Sequence, residues 1–437
     1  MLTFRDIELA RKRMGDAIFH SPCAYTETLS RMTGTRLFLK LENLQMTGSF
    51  KERGACNKLL SLTEEERRRG VIAASAGNHA QGVAYHAQRL GIDATIVMPE
   101  ATPLIKVAST REFGARVMLV GAGYDDAYAE AKRLSDEQHA VFVHPFDDEA
   151  VMAGQGTIGL ELLEQNPYLD AVVVSVGGGG LIGGIAVAIK ETNPKIKVYG
   201  VEPSALPSMR TSFASGAVTT VPPARSIADG ISVRTVGHQT FEVCQRYVDD
   251  VVLVDDEEVA EAILALVERE KTVAEGAGAA PLAALLQRRL PVEGKRVAAV
   301  VSGGNIDVNM LSRIIERGLV KTGRQVRVRV FLSDQIGALA AVLRIVAERR
   351  GNVIEVHHDR TARGLELGEA AVDLRVETRG FDHIEEVCDA LRQAGWRIAL
   401  EGPHAAAAPA RLSTPLADAA PGVGGNGADA PSSASNA

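Results

Sequence analysis

Between about residues 35 and 310 the chain repeats one phrase: a short run of Val, Ile, Leu and Ala, often a glycine, then a longer amphipathic stretch. Runs at Val71–Ser75, Ala94–Met98, Arg116–Val120, Ala171–Val176, Lys195–Val201 and Arg296–Val301 carry it. Short apolar strands separated by helices pair in parallel and are covered on both faces. This repeat predicts an α/β fold of mostly parallel sheets, with ligands at the C-terminal ends of the strands.

The rhythm changes after Lys321–Gln325, which reads as a linker. Strands are expected at Val326–Leu332, Val353–His358, Glu366–Glu377 and Arg397–Leu400, and helices at Gln335–Arg350 and Asp382–Ala394. The order βαββαβ is a ferredoxin-like unit. The expected division is therefore residues 1–320, a linker at 321–325, a second domain at 326–402, and a tail at 403–437. That tail, rich in Ala, Pro, Gly and Ser, holds too little apolar surface to offset its ordering entropy and reads as disordered.

The 437 residues allow two or three domains with a sizeable core, and 46% hydrophobic against 24% charged residues is the balance of a globular protein. A net charge of -7 leaves no basic surplus to neutralise phosphates, so no nucleic-acid partner is expected. No apolar run reaches membrane-spanning length and the first residues carry no signal-peptide core, so a cytoplasmic protein without a membrane partner is expected. Cys23, Cys56, Cys244 and Cys388 lie far apart with no metal-ligand spacing, which suits free thiols in a reducing compartment.

Three strand–loop–helix junctions carry unusual chemistry. In LFLKLENLQMTGSFKERGA, Ser49 can cap a helix beginning at Phe50, which puts Lys51 in the first turn. The positive end of the helix and burial both disfavour an ammonium there, and a lysine so tuned is a better amine nucleophile. By itself Lys51 also reads as a solvated helix lysine. In VIAASAGNHAQGVA, the Ser75 hydroxyl and the backbone at Ala76 and Gly77, before a helix starting near Asn78, suit a carboxylate. A plain capped helix with His79 exposed fits that stretch equally well. In AVVVSVGGGGLIGG, Gly177, Gly178, Gly179 and Gly180 follow a buried-type strand and precede a helix, a strong signal for phosphate on backbone amides. Gly178, Gly180 and Gly183 also satisfy GxGxxG, with Glu202 about twenty residues on, which is a dinucleotide fingerprint. Finally, Ser302 ends an apolar run before Gly303 and Gly304, where its hydroxyl can meet a ring nitrogen or merely make a turn.

Taken together, GSFKERGA, SAGNHAQGVA, GGGGL, IADGI and SGGN resemble the threonine dehydratase (threonine ammonia-lyase) family, carbon–nitrogen lyases of the tryptophan-synthase-like pyridoxal-phosphate (PLP) fold. The resemblance covers roughly residues 5–320. It implies a catalytic domain of two parallel-sheet lobes, the smaller one, about 45–147, inserted in the larger. It further implies that Lys51 carries PLP and serves as the base at the substrate's α-carbon, that Phe50 packs on the ring, and that Asn78 bonds its phenolic oxygen. Gly177 to Gly180 with Leu181 would hold the phosphate, Ser302 would face the pyridine nitrogen, and Ser75, Ala76, Gly77, Asn78 and His79 would line the substrate carboxylate. The related serine racemases carry a second serine where this chain has Ala76, which favours elimination. Some relatives hold a cation near the stretch matching VEPSALPS; Glu202 matches one ligand but Ser208 stands where an aspartate is expected, so no metal is expected. SDQIGALAAVL resembles the opening of an ACT domain, a small-ligand sensor, with Asp334 and Gly337 near its effector.

The implied activity is conversion of L-threonine to 2-oxobutanoate and ammonia, with serine as a second substrate, in isoleucine biosynthesis or threonine catabolism. The implied partners are an amino-acid or nucleotide effector and further copies of the chain, as a dimer or tetramer. Two other readings stay open on the residues: a nicotinamide-dependent oxidoreductase built on Gly178, Gly180, Gly183 and Glu202, and a non-catalytic amino-acid sensor.

Overall fold

The computed structural model describes residues 1–362 and 364–401. Two compact units divide at Gly318 and Leu319.

The first unit holds ten strands: β1 (Cys23–Tyr25), β2 (Arg36–Leu41), β3 (Val71–Ala74), β4 (Ala94–Met98), β5 (Arg116–Leu119), β6 (Val141–Phe142), β7 (Ala171–Ser175), β8 (Lys197–Pro203), β9 (Asp250–Val254) and β10 (Arg296–Val301). Six form a sheet in the order β1-β2-β10-β7-β8-β9, parallel except for the β1–β2 pair. The other four form a parallel sheet in the order β5-β4-β3-β6. The chain leaves the large sheet after β2 and rejoins it at β7, so the small sheet is an insertion.

Burial on both faces explains the near-continuous apolar runs. Along β10, Val297, Ala299 and Val301 enter the core on one face, while Ala298 and Val300 enter the core on the other. The same period of two splits β4, with Ile96 and Met98 on one side of the small sheet and Val97 on the other.

The second unit holds β11 (Gln325–Ser333), β12 (Asn352–Asp359), β13 (Glu369–Glu377) and β14 (Arg397–Glu401) in an antiparallel sheet of order β12-β13-β11-β14. With helices Ala338–Glu348 and Phe381–Gln393 the order is βαββαβ. Val326, Val328, Val330 and Leu332 of β11 alternate into a core with Val342, Val346, Ile384 and Val387 of the helices. Glycines in the left-handed region shorten two elements relative to expectation. Gly337, at φ +91°, caps a helix that begins at Ala338 rather than Gln335, and Gly368, at φ +89°, precedes a strand that begins at Glu369 rather than Glu366. Lys321 ends a helix and Gln325 begins β11, so the connection is 322–324. The tail expected to be disordered lies outside the described residues.

Candidate active site

Lys51 opens the helix Lys51–Leu60, with Phe50 as its N-cap. The loop before it is laced to the end of β10. Phe50 N donates to the Ser302 carbonyl at 2.9 Å, Gly304 N donates to the Gly48 carbonyl at 2.9 Å, and Ser49 bridges Gly303. Gly48 sits at φ +73°, and a Cβ there would lie 2.5 Å from Asn305 Oδ1, so the lacing requires glycine. Ser49 does not cap the helix as expected. Its hydroxyl is buried and has no hydrogen-bond partner.

Lys51 Nζ donates to the Pro145 carbonyl at 2.7 Å and stands 5.3 Å from the centre of the Phe50 ring. Burial lowers its pKa to about 8, against the opposing pull of Glu275. The next residue, Phe146, packs on the glycine loop: a Cβ on Gly178 would lie 2.2 Å from the Phe146 ring, and one on Gly180 would lie 2.9 Å from the Phe146 carbonyl. The segment Pro145–Phe146 therefore joins Lys51 to that loop. Gly179, at φ +94°, is the N-cap of the helix Gly180–Thr192, and no side chain caps this end. Its first-turn amides are available to an anion. Leu181 lies in the core and offers only its backbone.

β7 and β10 are neighbours, so their C-terminal ends meet. Ser175 Oγ donates to Ser302 Oγ at 3.3 Å, and both residues are buried. Asn78 begins the helix Asn78–Leu90; its Nδ2 donates to Glu275 Oε1 at 2.7 Å and its Oδ1 accepts from Asn305 Nδ2 at 2.9 Å. Glu275 is buried, and burial first, then Asp229, pushes its carboxyl up to about 7. Neither Glu275, Asn305 nor Phe146 was singled out from the sequence. A signal existed for the first in AEGAG, an acidic residue at a glycine-rich helix start, and Asn305 closes the SGGN stretch.

Among the residues expected around a carboxylate, Ser75 Oγ accepts from Gly77 N at 3.2 Å, and a Cβ on Gly77 would meet nothing within 4 Å. Ala76 and Asn78 are partly accessible. His79 is buried rather than exposed. Its Nε2 lies 2.9 Å from the Val143 carbonyl, and burial lowers its pKa to about 3, so the ring is neutral and points into the small lobe. In the second unit, the Asp334 carboxylate accepts from Arg360 Nε at 2.9 and 3.0 Å, and a Cβ on Gly337 would meet nothing within 4 Å.

Glu202 has a different duty from either of those weighed for it. Buried, it accepts from Met209 N at 2.7 Å, Arg210 N at 2.9 Å and Ser208 Oγ at 3.2 Å, so it holds the start of the helix Ser208–Ser215. Gly183 is not needed for close packing, since a Cβ there would meet nothing nearer than 3.4 Å. Of the two features that complete a dinucleotide fingerprint, Glu202 is thus engaged by its own chain and Gly183 is not required by packing. Among the described residues no cluster of three His, Cys, Asp or Glu could hold a metal, and no helix is long and apolar enough to cross a membrane.

The remaining groups fit PLP: an amine with lowered proton affinity, an uncapped helix start, an aromatic ring, a buried hydroxyl pair, and a buried Ser49 hydroxyl without a hydrogen-bond partner. Comparison with known proteins agrees. A family model described as pyridoxal-phosphate dependent enzyme matches residues 15–303. An L-threonine ammonia-lyase of Thermotoga maritima is 51% identical over 402 residues, 92% of this chain and 100% of that protein. A solved threonine deaminase (processed isoform 2) of Solanum lycopersicum superposes with a TM-score of 0.69 at 38% identity, covering 72% of this chain and 86% of that one. A serine racemase of Dictyostelium discoideum superposes with a TM-score of 0.67, also at 38% identity, covering 70% of this chain and 99% of that one.

Proposed function

The chain belongs to the pyridoxal-phosphate-dependent enzyme family, and on that premise we propose that it is an L-threonine ammonia-lyase, releasing 2-oxobutanoate and ammonia. The observation that carries the reading is Lys51, enclosed at a helix start between the Phe50 ring and the Pro145 carbonyl, and joined through Phe146 to an uncapped glycine helix end. When bound, PLP supplies an electron sink for the pair left at the substrate's α-carbon.

Lys51 would hold the cofactor, the backbone of Gly177 to Leu181 its phosphate, Phe50 and Asn78 its ring, and Ser302 its ring nitrogen. With a pKa near 8, Lys51 keeps a usable neutral fraction at physiological pH and can take the α-proton. Ser75 Oγ and the backbone from Ala76 to His79 would orient the substrate carboxylate. Ser302 presents a neutral hydroxyl, which would not hold a proton on the ring nitrogen as a carboxylate would. The substrate loses its α-proton and β-hydroxyl as water, and water returned to the released enamine yields the 2-oxo acid and ammonia. Ala76 has no exchangeable proton to deliver to the opposite face, which favours elimination over racemisation. The deciding assay offers L-threonine, L-serine and their D-forms. Release of 2-oxobutanoate from L-threonine supports the reading; formation of the D-isomer without 2-oxo acid contradicts it.

Residues 326–402 are read as an ACT-type regulatory domain sensing an amino acid or nucleotide near Asp334 and Gly337. The βαββαβ order and the open space at Gly337 support this. An effector alters activity only by binding two states unequally. Truncation after Val320 should abolish any response of the rate to isoleucine, valine or AMP; an identical response in both forms contradicts the regulatory reading.

A further inference from the structure

Glu275 lies 197 residues from Asn78 in sequence, yet its Oε1 accepts the Asn78 amide at 2.7 Å. Several contacts hold it in place. Glu275 N donates to the Gly303 carbonyl at 3.0 Å, and a Cβ on Gly303 would lie 2.5 Å from Glu275 Oε1, so the carboxylate occupies space that only a glycine leaves free. Across the Asn78 amide, Asn305 Nδ2 donates to Asn78 Oδ1 and, at 2.8 Å, to the Thr47 carbonyl. The amide is thus gripped on both ends, its oxygen by a donor and its nitrogen by an acceptor, and one Nδ2 hydrogen remains to point elsewhere.

We infer that Glu275 is a positioning residue for this reaction: it fixes the direction in which the Asn78 amide meets the cofactor. The inference rests on the PLP reading of the site. The charged groups that bear on the Glu275 carboxyl are Asp229, which begins the short helix Asp229–Ile231, Lys106 from the helix Leu104–Glu112, and Lys51. Asp229 and Lys106 pair with one another at 3.2 Å, which leaves Lys51 as the cation not otherwise matched by a carboxylate. A negative charge at Glu275 favours the protonated form of Lys51.

Glu275→Gln keeps an acceptor for Asn78 and removes only the charge. Its cofactor-free form should bind PLP with nearly the parent affinity. Glu275→Ala removes the acceptor as well, and its PLP dissociation constant should rise about tenfold, the size of a buried amide left unpaired. The bound cofactor's absorbance maximum, recorded in both variants, should shift only in Glu275→Ala. If Glu275→Ala does not fold, Glu275→Asp, whose shorter side chain draws the carboxylate back from Asn78, is read by the same affinity and spectrum. Parent-like affinity and spectrum in the variant that withdraws the acceptor overturn the inference. A parent protein that neither binds PLP nor deaminates threonine overturns the underlying reading instead.

Discussion

Arg53 grips Glu42 with two guanidinium nitrogens, Nε to Oε2 and Nη2 to Oε1, each at 2.8 Å, and both side chains are buried. Arg53 also donates to Glu161 at 2.6 and 2.9 Å, and Lys40 Nζ reaches the same Glu161. The helix that carries Lys51 is thereby fastened two residues later to the end of β2 and to the helix Glu149–Gln165.

Removing one member of such a network leaves buried charge without a partner. Arg53→Met should lower the unfolding free energy by about 3–5 kcal/mol, read by urea denaturation. A loss under about 1 kcal/mol, the value of an exposed pair, would show that the network is solvated.

The glycine loop and the disqualified fingerprint make opposite forecasts. In Gly179→Val, the side chain would be forced to φ +94° and against Met209 and Thr240, and PLP affinity should fall at least about tenfold. Gly183→Ala meets nothing nearer than 3.4 Å and should bind PLP like the parent. Equilibrium titration of the cofactor-free proteins checks both, and the reverse ranking would revive the dinucleotide reading.

The buried His86 gives the enzyme an acid liability. Burial, then Arg89, lowers its pKa from 6.5 to about 3, and its Nε2 has no hydrogen-bond partner. Below 6.5 the unfolded chain takes a proton that the folded chain refuses, so this stability is present above 6.5 and is lost as pH falls toward 3. His86→Leu should therefore gain on the parent by about 1.4 kcal/mol for each pH unit below about 6. Urea curves at pH 6.5 and pH 5 measure it, and a difference that does not change with pH contradicts it.

Much of this was legible in the chain because it is written locally. The apolar runs became strands since a strand covered on both faces has little room for polar residues, and β4 and β10 begin and end where the runs do. Lys51, the glycines and Ser302 stand beside their own loops, so short segments announce them. Glu275, Asn305 and the Arg53 network were not legible, because their meaning lies in partners brought from distant strands. Glu275 reads as a helix-start acid until the fold sets it against Asn78. For His79 the converse holds: the sequence set it beside the substrate carboxylate or, as a plain capped helix, in solvent, while its ring is buried against the Val143 carbonyl, so only its backbone is left for a carboxylate.

The most direct measurement is the rate of 2-oxobutanoate release from L-threonine by the PLP-loaded protein and by Lys51→Ala. The parent should turn over, and the variant should be folded, lack the parent's visible absorbance and lose at least about a thousandfold in kcat, as expected for removal of a group that is both attachment point and base. A folded variant that deaminates threonine near the parent rate would contradict the assignment of Lys51.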